Sequence, residues 1–542
     1  MNNNLIYDVE SKPKFNKLIV FAFQQVLAIM AATIAVPTII GLPTQIPAAI
    51  LGAGLGTIVY LLFTKFKSPV FLGSSFAFLG ALGNALLFGY CGIIIGGILA
   101  GLVYVIIAIV IKFAGTKWVS KLMPPVIIGP TVAIIGLSLA GSAMGDIVKA
   151  SGSVITGQVL VETAPGSGLF HYVTQTSTGM SYNLVALLCG LVTFITVVLC
   201  SCQNKFKSMK LIPFIIGIGA GYALASFFSI FGYACNVEYL KIVNWKPLVE
   251  NFVINGEFTG ITAFLNYPDF ALIEAIRELS SGNVNAAVSA ATKGAAQVIN
   301  GAGVASVALA FIPVALVVFA EHIADHKNLG TIIGRDLVEG EPGLSRTLLG
   351  DGVGSMVGTV FGICPNTTYG ESVGCVAITK NASIRTIFTA AIMCIVLSFL
   401  SPIMALLETI PNCVMGGVCL TLYGFIAVSG LKMFKDIDLG DNKNLYVVSV
   451  ILIAGIGGLS IKIPYALNGN GTVAKYIEIT SIATALLLGI VTYAVINKLE
   501  KGKKTESLVT EAVPEENPVE KTDEEFEVQE EEQQTVETKD EE

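Results

Sequence analysis

Glu321 and Glu371 are the residues of this chain best suited to hold a ligand. Glu321 closes a long apolar run in Phe319-Ala320-Glu321-His322-Ile323-Ala324-Asp325-His326. Glu371 lies in Ile363-Cys364-Pro365-Asn366-Thr367-Thr368-Tyr369-Gly370-Glu371-Ser372, a short polar stretch among apolar segments, broken by Pro365 and Gly370. A carboxylate at membrane depth is expensive and marks a functional site by default. Backbone that is not helical persists there only where protein or a cavity satisfies it. Carboxylates accept from N–H groups, and free backbone N–H groups donate to C=O groups. The pair therefore describes a site for a neutral, planar ligand bearing both. An anion site would instead use Lys, Arg or a helix N-terminus without facing carboxylates, and no Lys or Arg sits inside the core segments that carry these residues.

Glu321 and Asp325 are four residues apart and share one helix face, while His322 and His326 share the next. Two carboxylates on one face at low dielectric suit proton uptake near neutral pH. Glu321, Asp325 and His326 are accordingly the proton-coupling candidates, although the plainer reading of His326 is a residue at the cytoplasmic helix end. A third stretch, Gly73-Ser74-Ser75-Phe76-Ala77-Phe78, has small residues that let backbone approach a ligand closely. Phe76 or Phe78 would stack on a flat ligand; close helix packing with two core aromatics explains the stretch equally well. The ten cysteines show no metal spacing or disulfide framework. No metal or cofactor is expected, and no nucleophile–base pair or phosphate loop points to an enzyme. His-Glu-x-x-His is absent.

The elements that must position these residues are membrane helices. The 542 residues are 54% hydrophobic and 13% charged, against roughly 25% charged in soluble domains. The chain reads as an all-α polytopic membrane protein. The polar start, Met1 to Lys17, runs directly into an apolar span, so no cleavable signal peptide is expected. Twelve clear apolar segments cover about 18–40, 46–63, 84–112, 123–144, 183–202, 211–232, 303–322, 346–363, 384–407, 410–430, 444–461 and 473–497. Two more, 69–83 and 365–380, are short and interrupted, which makes fourteen and puts both termini on one side. Lys65, Lys67, Lys112, Lys117, Lys121, Lys205, Lys207, Lys210, Lys327, Arg335, Arg346, Lys380, Arg385, Lys432, Lys435 and Lys443 fall in the connections on the N-terminal side. That is the positive-inside pattern with cytoplasmic termini. Long outside loops cover 145–182 and 233–302, the latter with a short helix or flexible loop at Ser280 to Gly303. The interrupted segments are third and tenth, seven apart, which predicts a 7+7 inverted repeat with the site between its halves. From Thr505 the chain is acidic, net −14, and reads as a disordered tail, leaving +7 on the remainder.

These motifs resemble the nucleobase–cation symporter-2 family, the nucleobase:ascorbate transporters. The family signature appears as Glu371-Ser372-Val373-Gly374-Cys375-Val376-Ala377-Ile378-Thr379-Lys380, and Pro-Asn-Thr-Thr-Tyr-Gly-Glu is similar to its uracil-type branch. The resemblance covers about Phe21 to Lys498, without the second long loop. It implies a core domain (18–113 and 303–408, helices 1–4 and 8–11) and a gate domain (123–232 and 410–497, helices 5–7 and 12–14). Residues 1–17 and 498–542 would be cytoplasmic tails and 233–302 an extracellular loop. It further implies proton-coupled uracil uptake across the cell (inner) membrane by alternating access. Uracil would be held by the side chains of Glu321 and Glu371 and by backbone at Phe76 and Gly370. Ala32 and Tyr369 would line the pocket, and Tyr423 would approach from the gate. Its partners would be uracil, a proton or sodium, the lipid bilayer and a second copy in a homodimer, with no nucleic acid. Three departures stand out: Ser372 replaces the usual Asn, Asp325 stands where a second His is common, and Gln25 stands where another His is common. A xanthine or urate permease of the same family and an anion exchanger or channel of the related sulfate/bicarbonate fold are the alternatives. Tyr369-Gly370-Glu371 disfavours the first, and the two carboxylates disfavour the second.

Overall fold

In the computed structural model, residues 5–162, 170–203, 209, 212–254, 256–467 and 473–510 are described. The first half contains α1 (Phe15–Ile39), α2 (Ile46–Phe63), strand β1 (Leu72–Ser74), α3 (Leu79–Leu86), α4 (Gly89–Ala114), α5 (Pro125–Ile147), α6 (Leu184–Cys202) and α7 (Pro213–Ala234). A hairpin of β2 (Lys149–Glu162) and β3 (Phe170–Tyr182) joins α5 to α6. The small hairpin of β4 (Val253–Ile254) and β5 (Glu257–Phe258) follows α7. The second half contains α8 (Gly301–Ile333), α9 (Leu344–Phe361), strand β6 (Asn366–Thr368), α10 (Gly370–Thr379), α11 (Ile384–Ser398), α12 (Asn412–Lys432) and α13 (Asn442–Ile456). The β7–β8 hairpin (Ile461–Leu467 with Val473–Ile479) and α14 (Ser481–Thr510) complete it. Among the described residues, nine helices are long and apolar enough to cross a membrane.

Local sequence explains the boundaries. Asn183 caps α6 by accepting from the amides of Val185 and Ala186, at 2.8 and 3.1 Å. Asn300 does the same for α8 through Gly303, at 2.8 Å. These side chains satisfy donors that the first turn leaves unpaired. Helix α8 ends at Gly334, whose φ of 68° is cheap only for glycine. Helices α2, α4, α8, α9 and α11 pack on one another with α1 against α11, and α5, α6, α7, α12 and α13 form a second set of neighbours. Small residues let these helices approach closely. A Cβ on Gly101 would lie 2.5 Å from the Gly352 carbonyl, and one on Gly352 would lie 2.8 Å from the Gly101 carbonyl.

Several boundaries differ from the sequence expectation. Helix α8 continues to Ile333 rather than ending near residue 322, because its polar residues His322, Asp325 and His326 turn into the protein and are buried. The eleventh segment breaks after Ser398, and a separate helix spans Ser401–Glu408. Residues 473–479 are strand, so the last helix starts at Ser481 and runs on to Thr510. The second long loop is structured: helices span Lys246–Phe252, Ala271–Ser281 and Ala286–Ala291. It is fastened at Ser229, whose Oγ accepts from Ile242 and Val243, and at Glu278, whose carboxylate accepts from the Tyr90 amide at 2.7 Å. Lys205, Lys207, Lys210 and the acidic tail from residue 511 lie outside the described residues. None of the ten cysteines is in a disulfide, and eight are buried.

Candidate ligand-binding site

The two interrupted stretches meet. β1 pairs antiparallel with β6, placing Leu72 opposite Thr368, Gly73 opposite Thr367 and Ser74 opposite Asn366. The Ser75 amide donates to the Pro365 carbonyl at 3.1 Å, and the Tyr369 amide donates to the Phe71 carbonyl at 3.2 Å. One strand comes from each half of the chain, and antiparallel pairing is what inverted repeats require. The ladder satisfies backbone that Pro365 keeps from being helical. Past it each strand leads into a helix, through a 3-10 turn at Phe76–Phe78 into α3 and at Gly370 into α10. Neither start has a side-chain cap, so the first N–H groups lack intrahelical partners. The Tyr369 hydroxyl donates to the Ser74 carbonyl at 2.8 Å, and a side chain at Gly73 would run into the Tyr369 ring.

Neighbouring residues fix this unit. Asn366 reaches across to donate to the Gly52 carbonyl of α2 at 2.8 Å, and Ser355 of α9 donates to the Asn366 carbonyl. Gln25 of α1 donates to the Ser372 hydroxyl, which also accepts from the Phe71 amide at 3.3 Å. Two of the positions that depart from the family pattern are thus bonded to each other. The Thr368 hydroxyl donates to Asp325 Oδ2 at 2.7 Å.

A cavity of about 650 Å³ opens beside the ladder. Glu321 and Asp325 of α8, Phe76, and Tyr369, Gly370 and Glu371 at the start of α10 all line it. Glu321 and Glu371 are half-buried, whereas Gly370 is exposed to the cavity. The cavity extends past Asn328 and Ile332 to Ser201, Pro213, Ser429 and Lys432. Among the described residues no ion pair engages Glu321, Asp325 or Glu371, and no group of three His, Cys, Asp or Glu side chains could hold a metal ion. Lys432, at the far end of the lining, carried no signal beyond its place at a helix terminus.

The remaining candidates sit elsewhere. Ala32 is fully buried in α1, and Ala28, one turn earlier, lines the cavity instead. Tyr423 packs edge-on against Phe76, ring centroids 5.2 Å apart at 86°, behind the lining. Phe78 stacks on Phe311 in the core, which leaves Phe76 as the aromatic wall. His326 is not at a helix end, since α8 runs on to Ile333. It is completely buried, with one ring nitrogen 2.7 Å from the Tyr60 hydroxyl and the other 2.8 Å from the His322 carbonyl. His322, equally buried, contacts Asp351 Oδ2 at 2.7 Å and Thr347 Oγ1 at 3.1 Å. The two imidazoles stack 4.0 Å apart on the side of α8 turned from the cavity. Asp351 and Tyr60 were invisible as partners, because nothing in the sequence brings α2, α8 and α9 together.

Comparison with known proteins adds four findings. Residues 16–462 match the model of a permease family. The chain is 33% identical over 491 residues to a uracil permease of Bacillus caldolyticus, covering 90% of this chain and 94% of that protein. It is 30% identical over 511 residues to a uracil permease of Escherichia coli strain K12, covering 93% and 96% respectively. In fold alone it is similar to the murine solute carrier 26 family member A9 anion transporter in the inward-facing state. That likeness has a TM-score of 0.51 and 11% identity, covering 91% of this chain and 70% of that one.

Proposed function

The chain belongs to the permease family whose model it matches, the nucleobase:ascorbate transporters, and from that premise we propose that it imports uracil across the cell membrane. The observation that carries this reading is the convergence of Glu321, Glu371 and the starts of two short helices on one cavity that Phe76 also lines. Uracil is neutral and planar, with two ring N–H groups and two carbonyls alongside them. The two carboxylates accept its N–H groups, and the free backbone N–H groups near Phe76 and Gly370 donate to its carbonyls. The Phe76 ring supplies a face for stacking. Tyr369 contributes its ring, its hydroxyl being committed to Ser74.

In this reading the fourteen segments form a core of α1–α4 and α8–α11 and a gate of α5–α7 and α12–α14, with both termini in the cytoplasm. The lining at Ser201, Ile332 and Lys432 lies at helix ends that the Lys/Arg pattern assigns to the cytoplasm, so the cavity opens inward. Rocking of core against gate then exposes the same residues to either side. Asp325 and Glu321, both at the cavity, are the proton carriers; His326 faces away and is left out of the coupling. Protonation and uracil binding favour the same state, which is what couples them.

Purified protein in liposomes tests this. Saturable entry of labelled uracil, blocked by unlabelled uracil but not by xanthine or sulfate, is expected. Xanthine entry in place of uracil would reassign the chain to purines, and sulfate- or chloride-dependent current would reassign it to anions.

A further inference from the structure

Helix α10 is poorly supported for an element that carries a binding carboxylate. Six of its ten residues, between Gly370 and Ile378, line the cavity, and it packs mainly on α1 and α8. Its N-terminal end is held by the β1–β6 ladder. Its C-terminal end stops at Lys380, where φ is 54°, and there the segment ahead of α1 takes over. The Lys380 carbonyl accepts from the amides of Ile6 and Tyr7, at 2.8 and 3.2 Å. The Ala382 amide donates to the Tyr7 carbonyl at 2.8 Å, and the Ile384 amide to the Val9 carbonyl at 3.0 Å. Val9 is completely buried, although it lies in a polar stretch outside any span. Arg335, just past the end of α8, donates to Asp8 at 2.8 Å and to Glu10 at 3.4 Å.

We infer that Ile6–Glu10 is a brace that positions Glu371 by tying the C-terminal end of α10 to the end of α8. The inference rests on the reading of Glu371 as a uracil ligand. Two ladders, one at each end, then fix a helix whose cavity face has nothing to lean on. The backbone bonds and the buried Val9 do most of the fastening, since exposed ion pairs such as those of Arg335 are individually weak. Residues Val9 and Arg335 are positioning residues, distant from the ligand.

The test measures uracil binding to purified protein, the KM and maximal rate of uptake, and amide hydrogen exchange at residues 380–384. Val9→Asp is expected to speed exchange at Ala382 and Ile384 and to raise the uracil Kd and KM together, by about tenfold, with the maximal rate changed less than about twofold. Arg335→Glu, which repels Asp8 and Glu10, should shift KM in the same direction by less. Adding Asp8→Arg and Glu10→Arg to Arg335→Glu should restore it, and this charge swap carries the test if Val9→Asp does not reach the membrane. Wild-type affinity with fast exchange at 380–384 would overturn the brace, as would an Arg335→Glu defect that the swap leaves uncorrected. Wild-type protein that binds no uracil would overturn the functional reading instead.

Discussion

Replacing Glu371 by Gln keeps the side chain's size and removes its charge and one acceptor. Glu371 is half-buried in the cavity wall, and among the described residues no ion pair holds it, which leaves it able to accept from a ligand. Hydrogen bonds to charged groups contribute about 1.5–3 kcal/mol, which is about 10- to 150-fold in affinity at 1.4 kcal/mol per decade. The Gln amide still offers one acceptor oxygen, so Glu371→Gln falls at the low end, about tenfold weaker. Glu371→Ala loses the acceptor altogether and falls at the high end, about a hundredfold weaker. Neither change removes a packing contact in the core, so thermal unfolding without ligand should stay near wild type. Equilibrium binding of labelled uracil to purified protein reads the effect. If Glu371→Ala bound uracil within about threefold of wild type, Glu371 would not be a ligand, and the pairing of two carboxylates from the two halves would lose its meaning.

Other residues give independent tests. Phe76→Ala should weaken uracil binding by about 1–3 kcal/mol, the worth of one base–aromatic contact, while Phe76→Tyr keeps it; equal affinities in binding assays would remove Phe76 from the wall. Thr368→Val is isosteric but deletes the donor 2.7 Å from Asp325. It should lower stability by about 1.5–3 kcal/mol, seen as a lower melting temperature that Thr368→Ser does not share. Glu408, in the connection between α11 and α12, has its carboxyl pushed from 4.5 to about 7 by burial and, secondarily, by Asp269 nearby. The unfolded chain ionises first as pH rises, so the group lowers stability progressively between those values and by a constant amount above them, at most about 3 kcal/mol. Melting curves of Glu408→Gln should therefore diverge upward from wild type as pH climbs from 5 to about 7.5, and parallel curves would contradict the assignment.

The site was legible in the sequence wherever hydropathy conflicted with polarity. Pro365, Gly370 and Glu371 stand out because each is costly inside an apolar region, and the matching Gly73–Phe78 stretch lies seven segments away. Residues whose role depends on a partner were not legible. Thr368 looks like any turn threonine until α8 brings Asp325 beneath it. His326 reads as a helix-end residue because hydropathy falls off at Asp325. Burial of polar side chains against α2 and α9 let the helix continue, which no window average detects. The hairpin at 149–182 reads as a long outside loop because it lies between spans, and Val473–Ile479 reads as the start of the last span because its residues are mostly apolar. Phe76 was separated from Phe78 only by packing, since two aromatics two residues apart give no clue to which meets a ligand and which meets Phe311.

The most direct test is uptake of labelled uracil into cells lacking their own permease, comparing wild type with Glu371→Ala, with and without a protonophore. Saturable uptake by wild type that is lost in the mutant and lost on collapsing the proton gradient is the predicted result. Uptake that survives the protonophore but requires sodium would keep the substrate and contradict proton coupling. Protein present in the membrane with no uracil uptake would contradict the assignment of uracil itself.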